Sequence, residues 1–249
     1  GIVTEDEYQI VFSDTPGFVH DPSYKMHEKM NRYVFTTFED ADIMLFVVDQ
    51  ADEYDDQHVL VQKLNELECP VLVVINKIDL MEAQALESLI KFYSQLIPKA
   101  ETHTISAINQ ENTGTLFNRI VELLPPGPVY FPPDQLSDRP QRFFISEIIR
   151  ENLFLLYREE IPYSCEVAIE SFKEEENIIR IEALIFVSRK SQQSIIIGKG
   201  GSAIKQLGIE SRKKMETFLE KKVFLQLHVK VREDWRNNDH LLERLGYNQ

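Results

Sequence analysis

The sequence predicts two α/β-type domains in series, a doubly wound α/β domain followed by a smaller α+β domain. Three observations predict this. In the first half, continuous apolar runs at 41–50 and 70–79 alternate with helix-spaced segments, the pattern of strands buried on both faces of a parallel sheet. A stretch at 125–140 holds six of the eleven prolines and can continue neither helix nor central strand. Beyond it the order helix, strand, strand, helix, helix, strand surrounds a glycine-rich loop at 198–201.

Taken in order, "YQIVFSDTPG" (8–17) reads as a strand ending in a turn. Residues 18–39, with Met26, Met30, Tyr33 and Phe35, read as a mobile segment leading into a helix whose apolar side chains pack a core. The strands at 41–50 and 70–79 enclose a helix at 57–67, marked by Val59, Leu60, Leu64 and Leu67. A second helix at 82–97 carries Leu86, Leu89, Ile90, Tyr93 and Ile97 at the same spacing. "THTISA" (102–107) is a short strand and 115–124 a last helix, completing the βαβ alternation. The proline-rich stretch is a stiff linker. Then follow a helix at 141–159, strands at 164–172 and 178–188 joined by the acidic turn "KEEEN", helices at 191–197 and 202–220, and an alternating strand within 222–234. The expected division is 1–124, linker 125–140, and 141–249 with a C-terminal extension.

Composition narrows the function classes. The chain has 249 residues and a net charge of −14, but the two halves differ. Residues 1–140 carry a net −15, whereas 189–232 carry a net +8. A local basic field on an acidic protein favours a polyanionic partner at that place, although a solvated helix face has the same composition. No apolar run is long enough to span a membrane, and no signal peptide is read. Cys69 and Cys165 lie far apart and read as free buried thiols of a reducing compartment. The six histidines have no metal-ligand spacing with cysteine; His20 and His27 read as surface residues. Trp235 suits either base stacking or core packing.

The segment "IIIGKGGSAIKQLG" (195–208) looks like a phosphate grip. It is not a P-loop: no glycine stands five residues before Gly198, and Gly200 rather than Ser or Thr follows Lys199. The dinucleotide G-x-G-x-x-G pattern fails too, at Ser202 and Ala203. What remains is Gly198-Lys199-Gly200-Gly201, the G-x-x-G that clamps a single-stranded backbone in KH modules. The α-β-β-α-α-β order with that loop between paired helices is the layout of a type II KH domain. Ile195, Ile196 and Ile197 are then expected to line an apolar groove. Lys199 meets phosphate, and Lys205, Arg212 and Lys213, with Lys214 beside them, extend a basic track.

Three short motifs sit at the ends of predicted strands, where open parallel sheets bind ligands. They are Asp14-Thr15-Pro16-Gly17, Asn76-Lys77-Ile78-Asp79 and Ser106-Ala107. A D-T-P-G turn alone is common, but N-K-x-D after an apolar strand is specific. Asp79 can accept from both donor nitrogens on one edge of guanine, and adenine would leave that acceptor unpaired. Lys77 can lay its stem over the base, Asn76 can tie neighbouring loops, and the Ala107 amide can donate to the guanine oxygen. Asp14 suits a magnesium site reached through water, and the Gly17 amide a γ-phosphate.

These residues make the chain resemble a translation-factor-type GTPase. With "SDRPQRFFISEIIRENLF" (137–154), the G-x-x-G block and "VKVREDWRNN" (229–238), nearly the whole chain resembles the Era family of ribosome-assembly GTPases. The resemblance implies a P-loop-type GTPase domain followed by a KH domain. It implies GTP and GDP with Mg2+, binding of the 3′ end of 16S rRNA during 30S assembly, a cytoplasmic monomer, and peripheral inner-membrane association. Two departures stand out. No P-loop occurs in the 249 residues, and in this family it lies upstream of the hairpin that starts at Gly1. The chain is therefore expected to be a member without its N-terminal part, including the first switch. As it stands it is expected to bind GTP weakly. Second, Phe18 follows D-T-P-G where many GTPases place a water-orienting glutamine, so no catalytic base can be named. The competing readings are an RNA-binding adaptor with a degenerate nucleotide fold and no turnover, and the related ribosome factors with two GTPase domains. The single N-K-x-D and the intact G-x-x-G weaken the latter.

Overall fold

A computed structural model describes residues 1–244, and the expected C-terminal end, 245–249, lies outside the described residues. The chain forms two compact units. The first contains Gly1–Gly17 and Arg32–Leu136, and the second contains Phe18–Asn31 and the residues from Ser137 on.

In the first unit β1 (Ile2–Thr4) and β2 (Gln9–Val11) pair as an antiparallel ribbon. The end of α1 (Lys25–Asp40) leads to β3 (Met44–Val48), α2 (Val59–Glu66), β4 (Val71–Ile75), α3 (Ala83–Leu96), β5 (Glu101–Thr104) and α4 (Thr113–Leu123). The three latter strands form a parallel sheet in the order β3-β4-β5, with the two-stranded ribbon as a separate sheet. β4 explains why its sequence is apolar without alternation. Val71, Val73 and Ile75 pack against Leu64 of α2, Tyr93 of α3 and Ile97 just past its end. Leu72 and Val74 pack on the opposite face with Ile10, Ile105 and Ile120. All five residues of β4 are buried, the signature of a doubly wound sheet.

The proline-rich stretch is stitched to the ribbon. The Gln9 carboxamide accepts from the amides of Tyr130 (2.9 Å) and Phe131 (3.0 Å) and donates to the Phe131 carbonyl at 2.9 Å. Ile2 N–H donates to the Leu136 carbonyl. A segment poor in amide donors thus borrows its hydrogen bonds from a side chain.

In the second unit α5 (Gln141–Leu156) and the short α6 (Ile161–Ser164) precede β6 (Cys165–Glu174) and β7 (Ile179–Val187). Then come α7 (Lys190–Ile197), α8 (Ser202–Leu219), β8 (Val223–Val231) and α9 (Asp239–Arg244). The sheet order is β6-β7-β8, antiparallel then parallel. Ile145, Ile149 and Leu153 of α5, Ile196 of α7 and Leu207 and Met215 of α8 cover one face of the sheet.

The 18–31 segment belongs to this unit. Tyr24 lies under the Arg236 guanidinium, 5.1 Å from the ring centroid, and Lys25 pairs with Asp239. Trp235 is 2% exposed and packs with Leu242 and Met26, so its role is core packing rather than base stacking. His27 is not a free surface residue. Its Nδ1 accepts from Ser23 N–H at 3.3 Å, and burial followed by nearby Arg236 lowers its pKa.

Both cysteines are free thiols. Burial pushes Cys165 up to about 12 and also raises Cys69, so the reactive thiolate is scarce at neutral pH. An aromatic disulfide reagent at pH 8 is expected to react slowly with the native protein and to titrate both thiols once it is denatured. A fast stoichiometric reaction of Cys165 in the native state would contradict this burial.

Candidate functional site

The parallel ladder of the first unit continues past the ends of its strands. Asn76 N–H donates to the Val48 carbonyl, Ile105 N–H to Ile75, and Ile78 N–H to Ile105. This extension draws together the loops that follow β3, β4 and β5 at the carboxyl end of the sheet. Lys77 sits there with φ 62°, a left-handed conformation that non-glycine residues adopt at some cost.

Asn76 Oδ1 accepts from Lys77 N–H at 2.8 Å and from Ala107 N–H at 3.0 Å, so it ties the loops as its position suggested. The Ala107 amide, expected to face a guanine oxygen, is engaged by Asn76 in this structure. Ser106 is fully buried and its Oγ donates to Asp79 Oδ1 at 2.5 Å. The same Oγ accepts from Asn109 N–H. Asp79 is thereby held by one carboxylate oxygen while the residue remains exposed.

Lys77 Nζ pairs with Asp49, the first residue after β3. The lysine lowers the Asp49 pKa, helped by the Ala51 amide, and Asp49 in turn raises that of Lys77. Sequence reasoning missed Asp49, although a carboxylate directly ending the apolar run "LFVVD" was the available signal.

Asp14, Thr15, Pro16 and Gly17 follow β2, which stops at Val11 and not at the turn itself. Asp14 and Gly17 are exposed. Among the described residues no hydrogen bond or ion pair joins them to the Asn76–Asp79 or Ser106–Ala107 loops. A single exposed carboxylate suits Mg2+, which keeps most of its waters and takes its other ligands from phosphates. No group of three or more His, Cys, Asp or Glu that could hold a metal by itself occurs among the described residues.

The second unit builds the other site. α7 ends at Gly198, whose φ is 72°. A Cβ at Gly198 would lie 2.7 Å from Ala203 Cβ and 2.9 Å from its backbone nitrogen, so only glycine fits. Gly200 and Gly201 also have positive φ but open space around them. Lys199 is exposed. α8 begins immediately afterwards, and its N-terminal amides and dipole favour an anion. Behind the loop, Tyr157 Oη donates to the Ile196 carbonyl at 2.9 Å. Gln193 Nε2 donates to the Val229 carbonyl of β8 at 2.7 Å.

One expectation fails here. Ile196 is 0% exposed and belongs to the core, so it cannot line a groove. Ile195 is 49% exposed and Ile197 half-buried. The reason is angular: successive helix residues point about 100° apart, so three consecutive isoleucines cannot share one face. The apolar groove lies instead between α8 and β8. Its floor is Ile204, Gly208, Ile209, Leu225 and Leu227, with Lys205 and Arg212 beside it. These floor residues were not singled out from the sequence. The alternation of "VFLQLHV" against α8 was the signal for them.

Lys213 and Lys214 each have an ion-pair partner within the protein. Lys213 pairs with Glu210 at 3.1 Å and Lys214 with Glu151 of α5 at 2.8 Å. Of the three consecutive basic residues, Arg212 is the one at the groove.

Comparison with known proteins covers both halves of the chain. The Elongation factor Tu GTP binding domain model matches residues 2–126, and the KH domain model matches 160–236. The chain is 40% identical over 250 residues to GTPase Era of Thermoanaerobacter sp. (strain X514), covering 99% of this chain and 82% of that protein. It is 42% identical to GTPase Era of Coxiella burnetii (strain Dugway 5J108-111), covering 100% and 84%. Two solved structures resemble it at 34% identity, each covering 99% of this chain and 85% of the other. One is an Aquifex aeolicus Era variant bound to GDP and AlF4−, with TM-score 0.91. The other is Era with MgGDPNP and nucleotides 1506–1542 of 16S ribosomal RNA, with TM-score 0.92.

Proposed function

Because the chain belongs to the Era family of GTPases, we propose that, in a protein that also carries a P-loop, it is part of a GTP-hydrolysing switch that binds the 3′ end of 16S rRNA and acts in 30S subunit assembly. Residues 1–124 are the GTP-binding part, 125–140 the linker and 141–249 the RNA-binding part. The single observation that carries the RNA half is the loop geometry. Gly198 admits no side chain, Lys199 stands exposed at the start of α8, and an apolar groove with Lys205 and Arg212 runs on from it.

In this reading Asp79 accepts from the guanine edge, held in place by Ser106 Oγ. Asn76 keeps the Ala107 loop against the base site, and Lys77, steadied by Asp49, lies along the base. Asp14 would hold Mg2+, reached through water, and the backbone of Thr15, Pro16 and Gly17 would lie by the γ-phosphate. The ion, when bound, neutralises charge on the β- and γ-phosphates. Phe18 has no group that can orient a water by hydrogen bonding, so intrinsic turnover is slow. On the RNA side Gly198–Gly201 admit the backbone and Lys199, Lys205 and Arg212 meet its phosphates. Ile195, Ile197 and the α8–β8 floor meet the bases. The protein works as a monomer in the cytoplasm and touches the inner membrane only peripherally; no described helix is long and apolar enough to cross a bilayer.

The test replaces Lys199 and Gly200 together by Asp. Gly200 has φ 60° and nothing within 4 Å of a built Cβ, and Asp tolerates that conformation better than most residues, so the fold survives. Affinity for a single-stranded RNA with the small-subunit 3′-terminal sequence is expected to fall roughly tenfold or more, from lost phosphate contact plus repulsion. Undiminished affinity in the folded double variant would overturn the RNA assignment.

A further inference from the structure

We propose that Phe224, with Arg180 laid on its ring, is a stacking platform for one nucleobase just past the far end of the apolar groove. The proposal rests on the reading of the G-x-x-G loop and groove as an RNA site. It adds a position that neither the loop nor the groove floor contains.

Phe224 is 46% exposed although it lies in a strand. β8 is an edge strand, so the side away from β7 is open. The residues that alternate with Phe224 on the exposed face are Gln226, His228 and Lys230. Phe224 is thus the one apolar member of a polar row, and it is also among the residues that line the α8–β8 groove, as is Arg212. Arg180 is its register partner on β7. The guanidinium carbon stands 5.3 Å from the ring centroid, and Arg180 Nε is fixed by Glu175 at 3.0 Å. One face of the ring carries a cation, which strengthens stacking by an electron-rich partner on the other.

Charge selects which part of a nucleotide can arrive there. Residues 174–176, at the end of β6 and the start of the turn, are Glu-Glu-Glu, with Glu174 paired to Lys221 and Glu175 to Arg180. These carboxylates repel phosphate, while Lys205 and Arg212 attract it on the α8 side. A strand whose backbone follows α8 therefore presents a base, not a phosphate, to Phe224. From Ser202 to Arg212, α8 rises about 15 Å. A KH groove clamps four nucleotides, so the base at Phe224 is one that flanks this set.

The test measures binding of a short single-stranded RNA carrying the small-subunit 3′-terminal sequence, with and without an abasic site at each position in turn. Phe224→Ala is expected to weaken binding roughly five- to tenfold, the lower part of the range for losing one base–aromatic stack. Phe224→Trp is expected to keep the affinity and to show indole quenching on binding. Trp235 is buried and gives a constant background. One abasic position should cost affinity in the parent protein and nothing further in Phe224→Ala. If Phe224→Ala binds as the parent does while the Lys199, Gly200 double variant does not, the platform is wrong and the RNA site stands. Weakened binding with no abasic position coupled to Phe224 marks a structural effect and also overturns the platform. Failure of the parent protein to bind the RNA at all overturns both.

Discussion

In a protein that also carries the P-loop, Asp79→Asn is expected to move nucleotide preference from guanosine to xanthosine triphosphate. Ser106 Oγ donates to Asp79 Oδ1 and Ser106 is itself fully buried. An Asn side chain can keep that bond through its own Oδ1 while exchanging the second acceptor for a donor. Guanine then meets a donor where it offers an amino group, whereas xanthine offers a carbonyl. A bidentate charge-assisted pair is lost for one base and a matched pair gained for the other, and sites built on such pairs discriminate by orders of magnitude. Competition between the two triphosphates is expected to reverse by at least about a hundredfold. Retained preference for GTP would show that "NKID" is only a structural turn here.

Ile196→Ala is expected to destabilise the second unit by about 2–5 kcal/mol, the range for truncating a buried aliphatic side chain. Ile195→Ala is expected to stay within about 0.5 kcal/mol. Ile196 has no exposure and sits in the core with Leu153, Ile185 and Leu207, whereas nearly half of Ile195 is open to solvent. Denaturant unfolding of the two variants separates the roles. Equal midpoints would mean that the isoleucine triplet is not divided between core and surface as described.

Much of the fold was legible because it is written in local periods. The unbroken apolar run of β4 announced a strand buried on two faces, and Leu72 and Val73 do face opposite cores. The six prolines of 125–140 suggested a break between the halves, since proline has no amide to donate, but most of that stretch belongs to the first unit, which runs to Leu136. Gly198, Gly200 and Gly201 were picked out by spacing, and each has the positive φ that glycine permits. Asn76, Asp79 and Ser106 were named from residue type and order, and the structure ties their loops together by the Ser106–Asp79 and Ala107–Asn76 hydrogen bonds.

What only the tertiary structure decided is which groups meet. Asp49 holds Lys77 because the β3–β4 register brings the strand ends side by side, and no count of residues between positions 49 and 77 contains that register. The Ala107 amide turned out to be engaged by Asn76, and Gln9 to serve the amides of Tyr130 and Phe131. Ile196 went inward because α7 docks through that side chain and the Tyr157 hydroxyl bonds its carbonyl. A run of three isoleucines carries no sign of which one faces the core. Phe224 and Arg180, far apart in the chain, became one surface through parallel pairing of β7 with β8. Periodicity is a property of neighbours along the chain, whereas a site is made of neighbours in space. The second follows from the first only after backbone hydrogen bonding has set each strand's partner and register.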